Sequence, residues 1–230
     1  QNEASVGRAI RESGIPREEL FVTSKLLNRE HDYGATMMGF ERTMKNLGLE
    51  YLDLYLIHWP NPLKFREYGT DANVGSWKAM EELYHAGRIR AIGISNFRVH
   101  HMQALMDRID VKPAVNQMRL CPGAVLDDVV KYCHRHNILM EAYSPLGTGK
   151  IFSVPEMQAF AKKYGKSIAQ ICIRWSLQNG FLPLPKSITP ERIRENTQVF
   201  DFEIEPEDMK IIASLTDCCG PNQDPDEVPW

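Results

Sequence analysis

The amino-acid sequence predicts an α/β protein built on a parallel sheet and, among such folds, a (β/α)8 TIM barrel. Three observations carry that prediction. Strand-like and helix-like segments alternate along almost the whole chain, which is the pattern of βα units and so of parallel strands. Residues 52–57 (LDLYLI) form a near-continuous apolar run, as a strand buried on both faces should. None of the strand-like segments is followed by a G-x-G-x-x-G turn, the phosphate-binding signature that a doubly wound sheet ordinarily carries.

The elements follow in order. The chain opens on a helical pattern over residues 2–14 with no lead-in strand. Residues 21–25 (FVTSK) read as a short buried strand after the turn at Gly14-Ile15-Pro16. A helix follows, with Met37, Phe40, Met44 and Leu47 on one face and Gly48 as its stop. After the strand at 52–57, a helix over 76–86 stopped by Gly87, a strand over 89–94, a helix over 100–109 and a strand over 114–120 are expected. A helix over 126–136 and a strand over 138–143 come next, then helices over 155–164 and 167–178, the second ended by Gly180. The last strand spans 181–186, helices over 190–199 and 206–215 close the pattern, and 218–230, rich in Pro, Asp and Gly, reads as a loop. A barrel of this class has eight strands in about 250 residues. The expectation is therefore that residues 1–230 supply strands 3–8 of a single barrel domain, with two strands lying ahead of Gln1.

Composition bounds the function. With 230 residues, 43% hydrophobic and 25% charged, the chain is globular rather than disordered or fibrous. No apolar run approaches the roughly 18–20 residues of a membrane span. The 27 basic and 30 acidic residues leave a net charge of −3, which argues against a nucleic-acid surface. The five cysteines are odd in number and lack metal-ligand spacing, so they read as reduced thiols of a cytoplasmic protein with no metal site.

In a barrel of parallel strands the chemistry collects at the C-terminal strand ends. Here these are Lys25, then His58-Trp59, Ser95-Asn96-Phe97, Asn116-Gln117, Tyr143-Ser144-Pro145-Leu146-Gly147 and Lys186-Ser187. Every end carries polar groups able to hold a ligand. Individually, bland alternatives stand beside each: Lys25 as a solvated strand end, His58 as a satisfied core residue, Trp59 and Tyr143 as ordinary packing. Ser95, Asn96 and Gln117 suit a carboxamide, which both donates and accepts hydrogen bonds. Thr189-Pro190-Glu191 reads as an N-cap with proline at the first helical position. Lys186, Ser187 and Arg192 bring two positive charges and a hydroxyl to that helix start, a setting for an anion such as a 2′-phosphate, and Arg192 is also placed to stack on adenine.

Together SK at 24–25, LIHWP at 56–60, GISNF at 93–97, NQ at 116–117, YSPLG at 143–147 and PKSITPERIREN at 185–196 resemble the aldo-keto reductases in order and approximate spacing. The resemblance covers the whole chain and looks closest to prokaryotic 2,5-diketogluconate and small-aldehyde reductases. It implies an NADPH-dependent carbonyl reductase, with Lys25 tuning a catalytic tyrosine and His58 orienting the substrate carbonyl. Trp59 and Leu27 would wall the substrate pocket; many members have tryptophan where Leu27 stands. It further implies that Ser95, Asn96 and Gln117 hold the nicotinamide amide and that Tyr143 stacks on its ring. Ser144, Leu146 and the Gly147-Thr148-Gly149 turn would approach the pyrophosphate; Lys186, Ser187 and Arg192 would take the 2′-phosphate, and Glu195 and Asn196 the adenine. The cofactor is accordingly NADP(H) and the partner a small carbonyl substrate; separately, a monomer is expected, with the sequence leaving oligomeric state open.

The family's acidic and tyrosine pair would adjoin Gln1-Asn2-Glu3 from upstream, together with the first helix. On this reading the chain lacks the catalytic Asp and Tyr, and residues 1–230 alone are not expected to form a stable, competent reductase. Arg119 and Cys121 depart from the family's usual Glu and His, with no assigned consequence. A catalytically silent NADP(H)-binding or regulatory protein of the same fold is the alternative.

Overall fold

The computed structural model describes residues 2–216, 218–220 and 222–230. The chain divides into two compact units, Gln1–Asn116 with Asp224–Trp230, and Gln117–Gln223.

In the first unit, α1 (Glu3–Glu12) precedes β1 (Thr23–Leu26), α2 (Tyr33–Leu47), β2 (Leu52–Ile57), α3 (Gly69–His85), β3 (Ile89–Ser95) and α4 (Val99–Met106). Helix α2 starts where the Asp32 side chain accepts the Ala35 N–H and stops at Gly48, whose φ of 67° is left-handed. Strands β1, β2 and β3 pair in parallel, with Leu26 opposite Ile57 and Ile57 opposite Ile94, so their carboxyl ends are level. Among the described residues no strand is out of sequence order, the arrangement of a barrel sheet rather than of a doubly wound one, whose order reverses at a switch point.

All six residues of β2 are buried, as the apolar run requires. Leu54, Leu56 and Val115 make an inner cluster against Ala91. Gly93 permits it, because a Cβ there would stand 2.8 Å from the Val115 carbonyl oxygen and 2.7 Å from Leu56 Cδ2. Asp53 is the one charged residue of β2 and is buried. It accepts the Val22 N–H at 2.9 Å and meets Arg17 at 2.7 Å and Arg90 at 3.1 Å, so its charge is neutralised where it enters the core.

The segment Asp224–Trp230 belongs to the first unit. Asp226 receives Asn61 at 2.8 Å and meets the Nε2 atoms of His100 and His101 at 3.0 and 2.9 Å. The Arg98 N–H donates to His101 Nδ1, so in neutral His101 the proton sits on Nε2 and is donated to Asp226. Farther along, Arg66 holds the Val228 carbonyl at 2.7 Å and the Leu63 N–H holds that of Trp230 at 2.7 Å.

Strand β4 (Val115–Arg119) carries the chain across the boundary between units. The second unit then runs through α5 (Asp127–Arg135), β5 (Leu139–Tyr143), α6 (Pro155–Tyr164), α7 (Ile168–Gln178), β6 (Leu182–Leu184), α8 (Pro190–Glu195) and α9 (Pro206–Ser214). Strands β5 and β6 are parallel, with Tyr143 opposite Leu184. A reciprocal cap opens α7: Ser167 takes the Gln170 N–H while Gln170 Oε1 takes that of Ser167.

Several expectations are revised. Helix α3 begins at Gly69 rather than at residue 76, because Gly69 and Asn73 mask a helix that buries Ala72, Asn73 and Val74. The last strand shortens to three residues and α8 to six. Thr189 occupies the N-cap position, but its side chain makes no capping bond. No helix or strand occurs among the described residues of 218–230. Gln1, which the upstream pair was expected to adjoin, lies outside the described residues.

Candidate active site

The first unit places Lys25, His58, Trp59, Ser95 and Asn96 on the level carboxyl ends of β1, β2 and β3. Asn96 has a left-handed φ of 62°, which asparagine tolerates. Its amide donates to the His58 carbonyl at 3.0 Å and to Ser95 Oγ at 3.1 Å. That pair of bonds ties the end of β3 to the residue after β2. Both Ser95 and Asn96 are buried, as is Trp59, whose ring meets Trp230 edge-on at 5.6 Å. Leu27, next after β1, is half-buried.

Burial, and secondarily the positive charge of Lys25, push the His58 pKa down to about 4. At neutral pH the imidazole is therefore uncharged, with one ring N–H to donate. His31 lies beside this group and was passed over in the sequence, where a lone histidine in the loop after a strand gives no signal. It is fully buried and stacked on Phe65 at 5.3 Å. Neither ring nitrogen meets a partner at hydrogen-bond geometry, although the Asn73 side chain adjoins it. Burial lowers its pKa to about 4 as well.

The second unit carries the other predicted residues. Gln117 is buried and its amide donates to the Glu141 carboxylate at 2.7 Å, which fixes the side chain. Burial raises the Tyr143 phenol, so the side chain is a neutral, half-buried ring. The turn after β5 is built from left-handed residues: Ser144, Gly147, Thr148 and Gly149 have φ of 50°, 53°, 55° and 95°. The Gly147 and Gly149 N–H groups are taken by the Ser144 and Leu146 carbonyls at 2.9 Å each, so an anion would face the other backbone N–H groups of the turn.

Leu146, Phe152, Ser167, Ala169, Lys186, Ser187, Arg192, Glu195 and Asn196 line a cavity of about 430 Å³. All five residues assigned to the adenosine end thus share one cavity. Lys186 and Arg192 form no ion pair among the described residues, unlike Lys163, Lys166 and Arg174 in the same unit. A second cavity of about 300 Å³ runs along Ser144, Pro145, Leu146, Thr148 and Gly149 and shares Leu146, Phe152 and Lys186 with the first. The helix N-terminus contributes less than the sequence suggested, since α8 has a turn and a half; Lys186 and Arg192 supply the positive charge of the lining and Glu195 the negative.

The departures at Arg119 and Cys121 acquire a role. The Arg119 guanidinium donates to the backbone carbonyls of Cys219 and Gly220, and Cys121 is hydrogen-bonded to Cys219. Both therefore hold the segment after α9.

A sequential parallel sheet with a neutral histidine at one strand end and a two-cation cavity is the frame of a nucleotide-dependent oxidoreductase barrel. The chain matches the Aldo/keto reductase family over residues 1–217 and belongs to it. It is 44% identical over 230 residues to a glyoxal reductase of Bacillus subtilis, covering 99% of this chain and 80% of that one. Among solved structures it resembles MGS-M4, an aldo-keto reductase from a Medee basin deep-sea metagenome library. That match has a TM-score of 0.92 and 43% identity, covering 100% of this chain and 83% of the other. It also resembles a mutant of Gox0644 in complex with NADPH, with a TM-score of 0.89, 36% identity and coverage of 99% and 81%. No helix among the described residues is long and apolar enough to cross a membrane.

Proposed function

We propose that this protein reduces a small aldehyde, ketone or keto-sugar to an alcohol with NADPH, by direct hydride transfer, and that residues 1–230 act in it as one reductase domain. The observation that carries the reading is His58, held neutral by burial and by Lys25 at the end of a fully buried strand. A neutral imidazole in that place donates a hydrogen bond to a carbonyl oxygen without surrendering its proton, which polarises the carbon toward attack.

The donor set fits the cofactor. Lys186, Ser187 and Arg192 would hold the 2′-phosphate, Glu195 and Asn196 the adenine, and the backbone of 144–149 the pyrophosphate. Ser95, Asn96 and Gln117 would take the carboxamide, and Tyr143 would stack on the ring. Bound in this way, the reduced nicotinamide supplies a hydride. The NADPH complex of Gox0644 supports the choice of cofactor, and the name of the Bacillus subtilis relative supports small aldehydes as substrates. Lys25 places a positive charge beside the reacting oxygen, favouring a developing alkoxide and any phenol that donates the final proton. Tyr55 is not that donor: it is fully buried and burial raises its phenol further.

The test is consumption of NADPH with a panel of glyoxal, small aldehydes and 2-keto sugars. The wild type should turn over at least one of them. His58→Ala should lose about 10²–10⁴ in rate while still binding NADPH. Tight NADPH binding with no turnover of any carbonyl would replace this reading with the silent NADP(H)-binding one.

A further inference from the structure

Four of the five cysteines gather in the second unit around the segment after α9. Cys121 follows β4, Cys172 sits in α7, and Cys218 and Cys219 are neighbours in sequence. Side chains of adjacent residues in extended backbone point to opposite sides. Here a bend at 218–219, followed by Gly220 at a φ of 74°, sets both sulfurs on one side. The two Sγ atoms are 4.0 Å apart, and both lie against the Pro122 carbonyl oxygen, at 3.0 and 3.2 Å. Cys121, Cys172 and Cys219 are buried, whereas Cys218 is only half-buried. Cys218 is thus the more accessible residue of the pair, with the buried Cys219 sulfur beside it.

We propose that Cys218 and Cys219 form a redox-active vicinal dithiol that a peroxide closes to a disulfide and a small thiol reopens. In the first step the Cys218 sulfur attacks a peroxide oxygen and the O–O bond breaks. The leaving oxygen departs with the thiol proton as water or an alcohol, and the sulfur is oxidised to a sulfenic acid. In the second, the Cys219 sulfur attacks the sulfenic sulfur, the S–O bond breaks, and the hydroxide leaves with the Cys219 proton as water. Two thiols lose two electrons and one peroxide gains them. The bond with Cys121 and, after it, burial raise the Cys219 thiol, so its proton leaves only as the sulfur attacks, taken up by the departing hydroxide.

The product is strained. Adjacent Cα atoms are about 3.8 Å apart, closer than the roughly 4.4–6.8 Å usual across a disulfide, and strained disulfides are the readily reduced, regulatory kind. It would also reach the cofactor turn. A Cβ on Gly147 would stand 2.2 Å from Cys219 Sγ, so that sulfur fills the space beside the backbone of 144–149. Drawing it toward Cys218 removes this support. This last consequence rests on the proposed cofactor site; the disulfide itself does not.

The experiment treats reduced protein with an equivalent of hydrogen peroxide, alkylates the remaining thiols with N-ethylmaleimide in denaturant, and maps the peptides by mass. The peptide holding both residues should be lighter by two hydrogens and unalkylated, with Cys121 and Cys172 alkylated, and dithiothreitol should restore it. Cys219→Ser should trap the sulfenic acid on Cys218 as a dimedone adduct, and Cys218→Ser should abolish oxidation. A sulfinic acid on Cys218 beside an alkylated Cys219, a disulfide to Cys121 or Cys172, or unchanged thiols would each overturn the proposal. NADPH affinity, read by fluorescence, should fall several-fold in the disulfide form and recover on reduction. An unchanged affinity in a confirmed disulfide would refute the coupling alone. Failure of the reduced protein to bind NADPH would refute the cofactor site instead.

Discussion

His31 makes the acid stability of this protein a test of the packing beside His58. Its ring is fully buried and its pKa lies near 4, against 6.5 for the free side chain. Because the folded pKa is depressed, the unfolded chain takes up a proton below pH 6.5 while the folded one does not until about pH 4. The contribution to stability is therefore complete above 6.5, falls as the pH drops through this window, and levels off below 4. At about 1.4 kcal/mol per pH unit, the loss between pH 7.5 and 4.5 is roughly 2.5 kcal/mol. That is a large part of a typical stability of about 5–15 kcal/mol. Groups that counteract it are Asp32 and Asn73, and His58 reinforces it. The perturbation is His31→Leu, which keeps an apolar contact to Phe65 and removes two unpartnered nitrogens. Urea denaturation followed by tryptophan fluorescence should show the variant at least as stable as the wild type at pH 7.5. The gap should widen by roughly 2.5 kcal/mol at pH 4.5. Carboxylates titrate equally in both proteins and cancel in the difference. Parallel stability curves across that range would refute the reasoning.

Further outcomes follow from the two units. Arg192→Ala should weaken NADPH by roughly 10- to 100-fold, the worth of a charge-assisted hydrogen bond, and leave NADH nearly unchanged; equal losses would remove the 2′-phosphate assignment. Lys25→Met should raise the His58 pKa only part of the way toward 6.5, since burial is the larger cause, and NMR titration of the imidazole reads this directly. Asp53→Ala strands the Val22 N–H and unpairs Arg17 and Arg90. The cost should be about 2–3 kcal/mol, below that of a fully buried pair because Arg90 is half exposed, measurable in the same urea assay with turnover per folded molecule preserved.

Much of the architecture was legible because it depends on local rules. The buried run at Leu52–Ile57 and the helix at Pro155–Tyr164 have the predicted bounds, since apolar continuity fixes one, and proline at the first position with glycine after the last fixes the other. The start of α3 was not legible. Gly69 and Asn73 are poor helix formers, and the turn forms because Asn73 donates to the Pro60 carbonyl at 2.7 Å, a contact thirteen residues distant. Likewise β6 keeps only Leu182–Leu184, because parallel pairing with Glu141, Ala142 and Tyr143 sets its length.

The same division holds at the site. By itself the sequence determined which residues stand at the carboxyl ends of the strands. The alternation of βα units places every such residue at one end of a parallel sheet, whatever the side chains do there. It also brought the cationic and amide residues of 186–196 near one another by simple proximity along the chain. Tertiary structure alone decided their state. His58 is neutral because of how much is packed around it and because Lys25 faces it from another strand. His31 matters because folding buries it beside that group, and Arg119 and Cys121 meet residues a hundred positions away. Charge state and long-range contact depend on desolvation and on neighbours from distant segments, and neither is a property of a residue's place in the chain.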